Sequence, residues 1–156
     1  MKHIISVLVE NKFGVLARVA GLFSARGFNI SSLAVGKTED PTISRMTIIV
    51  KGDDKILEQV KKQLNKLIDV ILVKDYMEKE HIDKELILFK IDINKQNKDK
   101  LVKLLKESIA KIINTKEASI VVEIVGTQDE IDKLLNLLGK FEIKEMVRTG
   151  RIAMEL

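Results

Sequence analysis

The sequence predicts an α+β protein made of two ferredoxin-like domains, each with the element order βαββαβ. Three observations carry this prediction. Strand-like and helix-like spacings of apolar residues alternate in that order along the first half, the second half repeats the order less clearly, and a short charged stretch lies between them. We expect residues 1–76 to form the first domain, residues 77–84 a linker and residues 85–156 the second domain.

The first half shows the pattern most clearly. Strands are predicted over residues 3–9, 28–36, 43–51 and 70–73. The first helix ends at Gly27, which permits a left-handed turn, and the second begins after Asp53, which can cap it. This order places the first and third strands in the centre of the sheet. The second strand is then an edge without proline, and we expect it to pair with another chain.

The second half repeats the order with weaker signals. A strand is expected over residues 85–93, and helical spacing of apolar residues then runs as far as Ile112. A hairpin turns at Lys116-Glu117. Thr127 and Glu130 have capping-box spacing at the start of a helix that Gly139 ends. Residues 141–154 form a strand pair or one long bent strand.

Composition excludes several classes of function. The chain has no cysteine and two histidines, which argues against disulfides, thiolate chemistry and a zinc site. It shows no apolar run of membrane-spanning length and no signal-peptide pattern, so we expect a cytoplasmic protein without membrane contact. The net charge of +4 comes from lysines interspersed with acids, and only 4% of residues are aromatic, so no nucleic-acid partner is expected. Dinucleotide, P-loop and nucleophile-elbow motifs are absent.

One loop and one strand start could bind a small ligand. The loop Asn11–Gly14 leads into an apolar helix, whose first N–H groups lack internal partners and sit at the positive end of the helix dipole. A glycine there leaves the Val15 and Leu16 amides uncovered, so that they could hold a carboxylate together with the Asn11 amide. A tight strand-to-helix turn would explain Asn11 and Gly14 equally well.

Asn29 begins the second strand after the turn at Gly27. Its side chain, or a nearby backbone carbonyl, could meet an ammonium group, and the loop and strand together would then bind a zwitterion. The neighbouring apolar residues Ile30, Leu33 and Leu16 would select an aliphatic side chain. The alternative is an ordinary turn residue. Arg18 and Arg26 are expected to face solvent and receive no ligand role.

The residues of the first half resemble the small regulatory subunit of acetolactate synthase (acetohydroxyacid synthase). The resemblance is carried by the runs Ser6–Val19, Gly21–Ser24, Arg26–Leu33, Asp40–Thr47 and Glu58–Val70. The second half fits in length and in Arg148-Thr149-Gly150. The resemblance implies that residues 1–76 form an ACT domain, the amino-acid-sensing version of this fold. One departure is Gly36, where some members carry alanine.

The resemblance also implies a function. Two ACT domains would pair side by side as a homodimer and bind valine or another branched-chain amino acid at their interface. The implied binding positions are Asn11, Gly14, Val15 and Leu16 of one chain with Asn29 and Ile30 of the other. The chain would be non-catalytic, activate the large catalytic subunit and mediate feedback inhibition in branched-chain amino-acid biosynthesis. Thiamine diphosphate, magnesium and FAD would belong to the large subunit, and no cofactor is expected here.

Two alternatives come from other classes of function. A stand-alone ACT-type sensor could serve a different enzyme or a transcription factor. A small ferredoxin-fold enzyme such as an acylphosphatase would need an arginine in its phosphate loop, and Asn11–Gly14 contains none.

Overall fold

The computed structural model of the chain describes residues 2–76 and 79–156. These form two compact units. The first comprises the chain up to Ile82 together with Arg151–Leu156, and the second comprises Asp83–Gly150. Met77 and Glu78, which fall in the expected linker, lie outside the described residues.

The first unit is a four-stranded antiparallel sheet with two helices on one face. Its elements are β1 (Lys2–Glu10), α1 (Val15–Ser24), β2 (Ile30–Lys37), β3 (Ile43–Lys51), α2 (Asp54–Leu64) and β4 (Val70–Asp75). The strand order is β2-β3-β1-β4, so β1 and β3 are central, as predicted. Along β3, the register runs from Ile43 opposite Glu10 to Lys51 opposite Lys2.

Strand alternation and helical spacing build one core between the sheet and the helices. The sheet contributes Ile5, Val7, Val9, Met46, Ile48 and Val50, and the helices contribute Val15, Val19, Leu22, Phe23, Leu57, Val60 and Leu64. Asp53 caps α2, because its carboxylate accepts a hydrogen bond from the Ile56 N–H at 2.9 Å. Gly27 has a φ of +69°, so the turn after α1 is left-handed as expected.

The second unit repeats the topology. Its elements are β5 (His81–Asp92), α3 (Lys98–Lys106), β6 (Ala110–Lys116), β7 (Ser119–Gly126), α4 (Gln128–Leu138) and β8 (Ile143–Arg148). The strand order β6-β7-β5-β8 is equivalent to that of the first unit. Thr127 and Glu130 form the expected capping box at α4. The predicted α+β class with two ferredoxin-like βαββαβ units is therefore confirmed.

Helix α3 is shorter than its apolar spacing predicted, and the extension to Ile112 is wrong. The helix ends at Lys106, and Ile112 belongs to β6. Ser108 explains the turn, because its hydroxyl donates to the Leu105 carbonyl at 2.8 Å and accepts from the Ala110 N–H at 3.1 Å. These bonds satisfy the backbone where helix gives way to a strand that pairs with β7.

The observed units divide the chain differently from the expected domains. Strand β5 begins at His81, within the stretch expected to be a linker. The last strand, β9 (Ile152–Glu155), is separate from β8 and pairs with β5. Its residues nevertheless belong to the first compact unit, whereas residues 85–156 were expected to form one domain. The Leu156 N–H, for example, donates to the Glu80 carbonyl at 3.1 Å. No described helix is long and apolar enough to cross a membrane.

Candidate functional site

The loop between β1 and α1 is fastened to the turn between β2 and β3. The Asn11 backbone N–H donates to the Thr42 carbonyl at 2.7 Å, and its side-chain Nδ2 donates to the Pro41 carbonyl at 2.9 Å. This bond holds the exposed Asn11 side chain in place. Because a carboxamide nitrogen carries two hydrogens, the second hydrogen is left for a ligand.

Gly14 has the backbone conformation that the loop requires. Its φ is +81°, a left-handed value that residues with a Cβ adopt only with strain. The first helical bond runs from the Arg18 N–H to the Gly14 carbonyl at 3.0 Å. Within residues 2–76 and 79–156, the Leu16 N–H has no acceptor, and the Val15 N–H has only the Lys12 carbonyl at 3.4 Å. The start of α1 therefore offers donors that a carboxylate could accept.

Charged side chains lie beside this loop, and one of their contacts differs from the expectation. Arg18, expected to face solvent, contacts Asp69 Oδ2 through Nε at 2.8 Å and Nη2 at 2.7 Å. A Cβ at Gly14 would stand 3.1 Å from Arg18 Nη1. Lys12 pairs with Glu10 at 2.7 Å, and this contact raises the pKa of Lys12. One cation of the loop, Lys12, and one of the following helix, Arg18, are therefore each paired with an acid.

Asn29 and Ile30 lie at the other end of the sheet. Ile30 is opposite Val50 on β3, whereas Glu10, which precedes Asn11, is opposite Ile43. These two positions are seven residue steps apart along β3, which corresponds to about 23 Å. One chain therefore does not bring Asn29 and Ile30 to the Asn11–Gly14 loop.

Side-chain exposure differs among the candidate positions. Val15 is buried in the core, whereas Leu16 is 45% exposed beside the loop. Asn29 is exposed, and Ile30 is half-buried against the core. In the described part of the chain, no three His, Asp or Glu side chains come together as metal ligands would.

Comparison with known proteins identifies the family. Residues 5–72 match the model of the AHAS small subunit-like ACT domain, and residues 84–156 match the model of the small subunit of acetolactate synthase. The chain belongs to the acetolactate synthase small subunit family. The predicted resemblance and the ACT domain are thereby confirmed.

Whole-chain relatives agree with the family models. A probable acetolactate synthase small subunit of Archaeoglobus fulgidus is 48% identical over 154 residues, which span 99% of this chain and 96% of that protein. The acetolactate synthase small subunit of Aquifex aeolicus is 42% identical, over 98% of this chain and 80% of that protein. The crystal structure of the acetolactate synthase small subunit from Thermotoga maritima superposes with a TM-score of 0.91 at 38% identity, covering 100% of this chain and 98% of that one.

Proposed function

We propose that this chain is a non-catalytic regulatory subunit, which activates the large catalytic subunit of acetolactate synthase and makes it sensitive to valine or another branched-chain amino acid. The observation that carries the proposal is the bare helix start at Gly14 in a chain of this family. Gly14 has no side chain to cover this helix start, and among the described residues the Leu16 N–H has no acceptor. The match of both halves to this family favours the acetolactate synthase subunit over a sensor for an unrelated enzyme.

The chemistry of the two half-sites fits the two ends of an α-amino acid. The effector's carboxylate would accept hydrogen bonds from the Leu16 and Val15 amides and from the free hydrogen of Asn11 Nδ2. Its ammonium group would donate to the Asn29 side chain or to a carbonyl near it. The exposed Leu16 side chain and the half-buried Ile30 would contact an aliphatic side chain.

A second copy of the chain would complete the site. Strand β2 is an edge with only β3 beside it in the sheet. In an antiparallel pairing of β2 with β2 of another copy, the Ile30 end of one strand lies beside the Lys37 end of the other. Lys37 is opposite Ser44, which in turn is opposite Val9 near the Asn11 loop. Such a homodimer would bring the Asn11–Gly14 loop of one chain and Asn29 and Ile30 of the other to the same end of the joined sheet. The two-fold symmetry of the dimer would create two such sites.

Regulation then follows from differential affinity. An effector that binds more tightly to a less active state of the holoenzyme shifts the population toward that state, and coupling of this kind is typically about 1–3 kcal/mol. In this proposal the catalytic cofactors, thiamine diphosphate, magnesium and FAD, belong to the large subunit in the cytoplasm. This chain supplies only the effector site and the contact with that subunit.

Thermal unfolding of the purified chain with L-valine, L-leucine, L-isoleucine and D-valine tests the site. Ligand at about a hundredfold its dissociation constant adds about 2.7 kcal/mol per site, which raises the midpoint by several degrees. We expect an L-specific rise for at least one branched-chain amino acid. In parallel, acetolactate formation by the large subunit is measured with and without this chain and the same effector. No activation by the chain, or activation without any effect of branched-chain amino acids, would contradict the corresponding half of the proposal.

A further inference from the structure

Residues Arg151–Leu156 lie on the first unit although they follow β8 of the second unit in sequence. We refer to them as the strap. The chain leaves the first unit after Ile82 and returns to it at Arg151, so two peptide bonds connect the units and the strap follows the second of them. Nothing in the proposed effector site explains why these residues belong to the first unit.

The strap contacts both edge strands of the first sheet. At its start, the Arg151 N–H donates to Ser32 Oγ on β2 at 3.1 Å. At its end, Glu155 Oε2 accepts from Lys74 Nζ on β4 at 2.7 Å. Glu155 Oε1 accepts from Lys79 Nζ, also at 2.7 Å.

These contacts lie on the sheet face that does not carry the helices. Ser32 is opposite Ile49, and Lys74 is opposite Ser6. Ile49 lies between the core residues Ile48 and Val50, and Ser6 between Ile5 and Val7, so both point away from the core because strand residues alternate. Ile49 and Ser6 are nevertheless only 3% and 2% exposed.

The length of the strap matches a crossing of the whole sheet. Three inter-strand spacings separate β2 from β4, a distance of about 14 Å. Four residue steps in extended conformation, from Arg151 to Glu155, span about 13 Å. A single extended segment therefore reaches from one edge of the sheet to the other over Ile49 and Ser6.

We propose that the strap fixes the two edge strands of the first unit. Through Ser32, it would also influence the affinity of the effector site, to which the start of β2 contributes Asn29 and Ile30. Ser32 lies two residues after Ile30 and three after Asn29, so any shift of β2 that the strap prevents is a shift of these two residues. The part of the inference that concerns affinity rests on the proposed function. The part that concerns the strands does not.

Hydrogen–deuterium exchange of the full-length chain tests the strap without any ligand. Ser32→Ala removes the acceptor on β2, and Ser31→Ala, at the exposed neighbouring position, is its matched control. Glu155→Gln removes the charge that pairs with Lys74 and Lys79, and Glu142→Gln on the second unit is its control. We expect amides of residues 28–37 to exchange about tenfold faster in Ser32→Ala, and those of residues 70–75 in Glu155→Gln, with no change in either control.

The same four variants are then titrated with the branched-chain amino acid that the wild-type chain binds. We expect a severalfold weaker dissociation constant for Ser32→Ala and Glu155→Gln and an unchanged one for both controls. Exchange equal to that of the controls would overturn the strap, and faster exchange with an unchanged dissociation constant would overturn its link to the site. If the wild-type chain binds none of these amino acids, the proposed function fails, while exchange still decides whether the strap holds the strands.

Discussion

Arg18 on α1 and Asp69 before β4 lie 51 residues apart in the sequence, yet the guanidinium contacts one carboxylate oxygen through both Nε and Nη2. The Asp69 side chain is 10% exposed and that of Arg18 is 48% exposed. The pair therefore joins a nearly buried acid to a half-exposed base. Its two members should respond differently to mutation.

We predict that Arg18→Ala destabilises the chain more than Asp69→Asn. Removing Arg18 leaves a nearly buried carboxylate without its cation, which costs about 2–3 kcal/mol. Asp69→Asn removes the buried charge itself and leaves Arg18 half-exposed, where water can solvate it. We therefore expect Asp69→Asn to cost only about 1 kcal/mol of unfolding free energy. Urea unfolding of the two variants measures both values. Equal costs would show that burial of Asp69 does not govern the pair.

Gly14 should separate the effect of charge from the effect of shape. Asn and Asp tolerate the left-handed backbone better than other side chains, so Gly14→Asp and Gly14→Asn should unfold within about 1 kcal/mol of each other. Only Gly14→Asp places a negative charge where the effector's carboxylate would bind. In the reconstituted holoenzyme we expect Gly14→Asp to keep activation and to lose inhibition by valine. Gly14→Asn should keep activation and retain more of the inhibition by valine than Gly14→Asp does. Full inhibition of the Gly14→Asp holoenzyme would remove Gly14 from the site.

Glu155 should make the strap sensitive to acid. Hydrogen bonds from Lys74 and Lys79 lower the pKa of this carboxyl from 4.5 to about 2. Because the folded-state pKa is below the ordinary value, the stabilisation is complete above pH 4.5 and is lost as the pH falls from 4.5 toward 2. The difference in unfolding free energy between wild type and Glu155→Gln should shrink over this range. A difference that does not change with pH would contradict the ion pairs.

Two glycines provide a matched test of space around the backbone. A Cβ at Gly36 on β2 meets nothing within 4 Å, whereas a Cβ at Gly52 would stand 2.7 Å from Ile56 Cγ2. Gly36→Ala should therefore stabilise the chain by about 0.5–1 kcal/mol, since the loss of a strand glycine lowers the entropy of unfolding. Gly52→Ala should lower the thermal midpoint, because Ile56 must move. Effector titration of Gly36→Ala would then show whether this position sets amino-acid preference.

Thr127 should contribute to the second unit alone. Its hydroxyl accepts from the Glu130 N–H at 3.4 Å, and the Glu130 carboxylate accepts from the Thr127 N–H at 2.7 Å. Loss of such an N-cap typically costs about 1 kcal/mol, so Thr127→Ala should lower the unfolding free energy by that amount. Exchange should rise in α4 and stay unchanged in β2. A rise in β2 would show that the two units do not respond independently.

Local signals in the sequence predicted the parts of the fold that neighbouring residues determine. Asp53 and Thr127 cap their helices as expected because a cap needs only a side chain and an amide three residues later. Ile109 and Ile112 continued a helical spacing that Ser108 ends, since apolar spacing alone does not separate a helix from a following strand. The unusual backbone conformation at Gly14 was also predicted, because glycine is the residue type that adopts a positive φ without strain.

Contacts between distant residues could not be predicted in the same way. The residues around Arg18 and Asp69 do not indicate that these two side chains contact each other. Likewise, the sequence near Arg151 does not indicate that its N–H donates to Ser32. The separation of Asn29 from the Asn11 loop became visible only in the strand register, which a single sequence does not specify. The six effector positions therefore stay a prediction, supported by their chemistry and by the family.

The return of the strap to the first unit makes the second unit an insertion within the first. During synthesis on the ribosome, all of Asp83–Gly150 emerges before the residues that complete the first unit. The second unit can therefore fold while the first still lacks its final segment. Expression of residues 1–76 alone would yield a sheet whose edge strands were never joined, and its behaviour in isolation would understate the stability of the ACT domain in the intact chain.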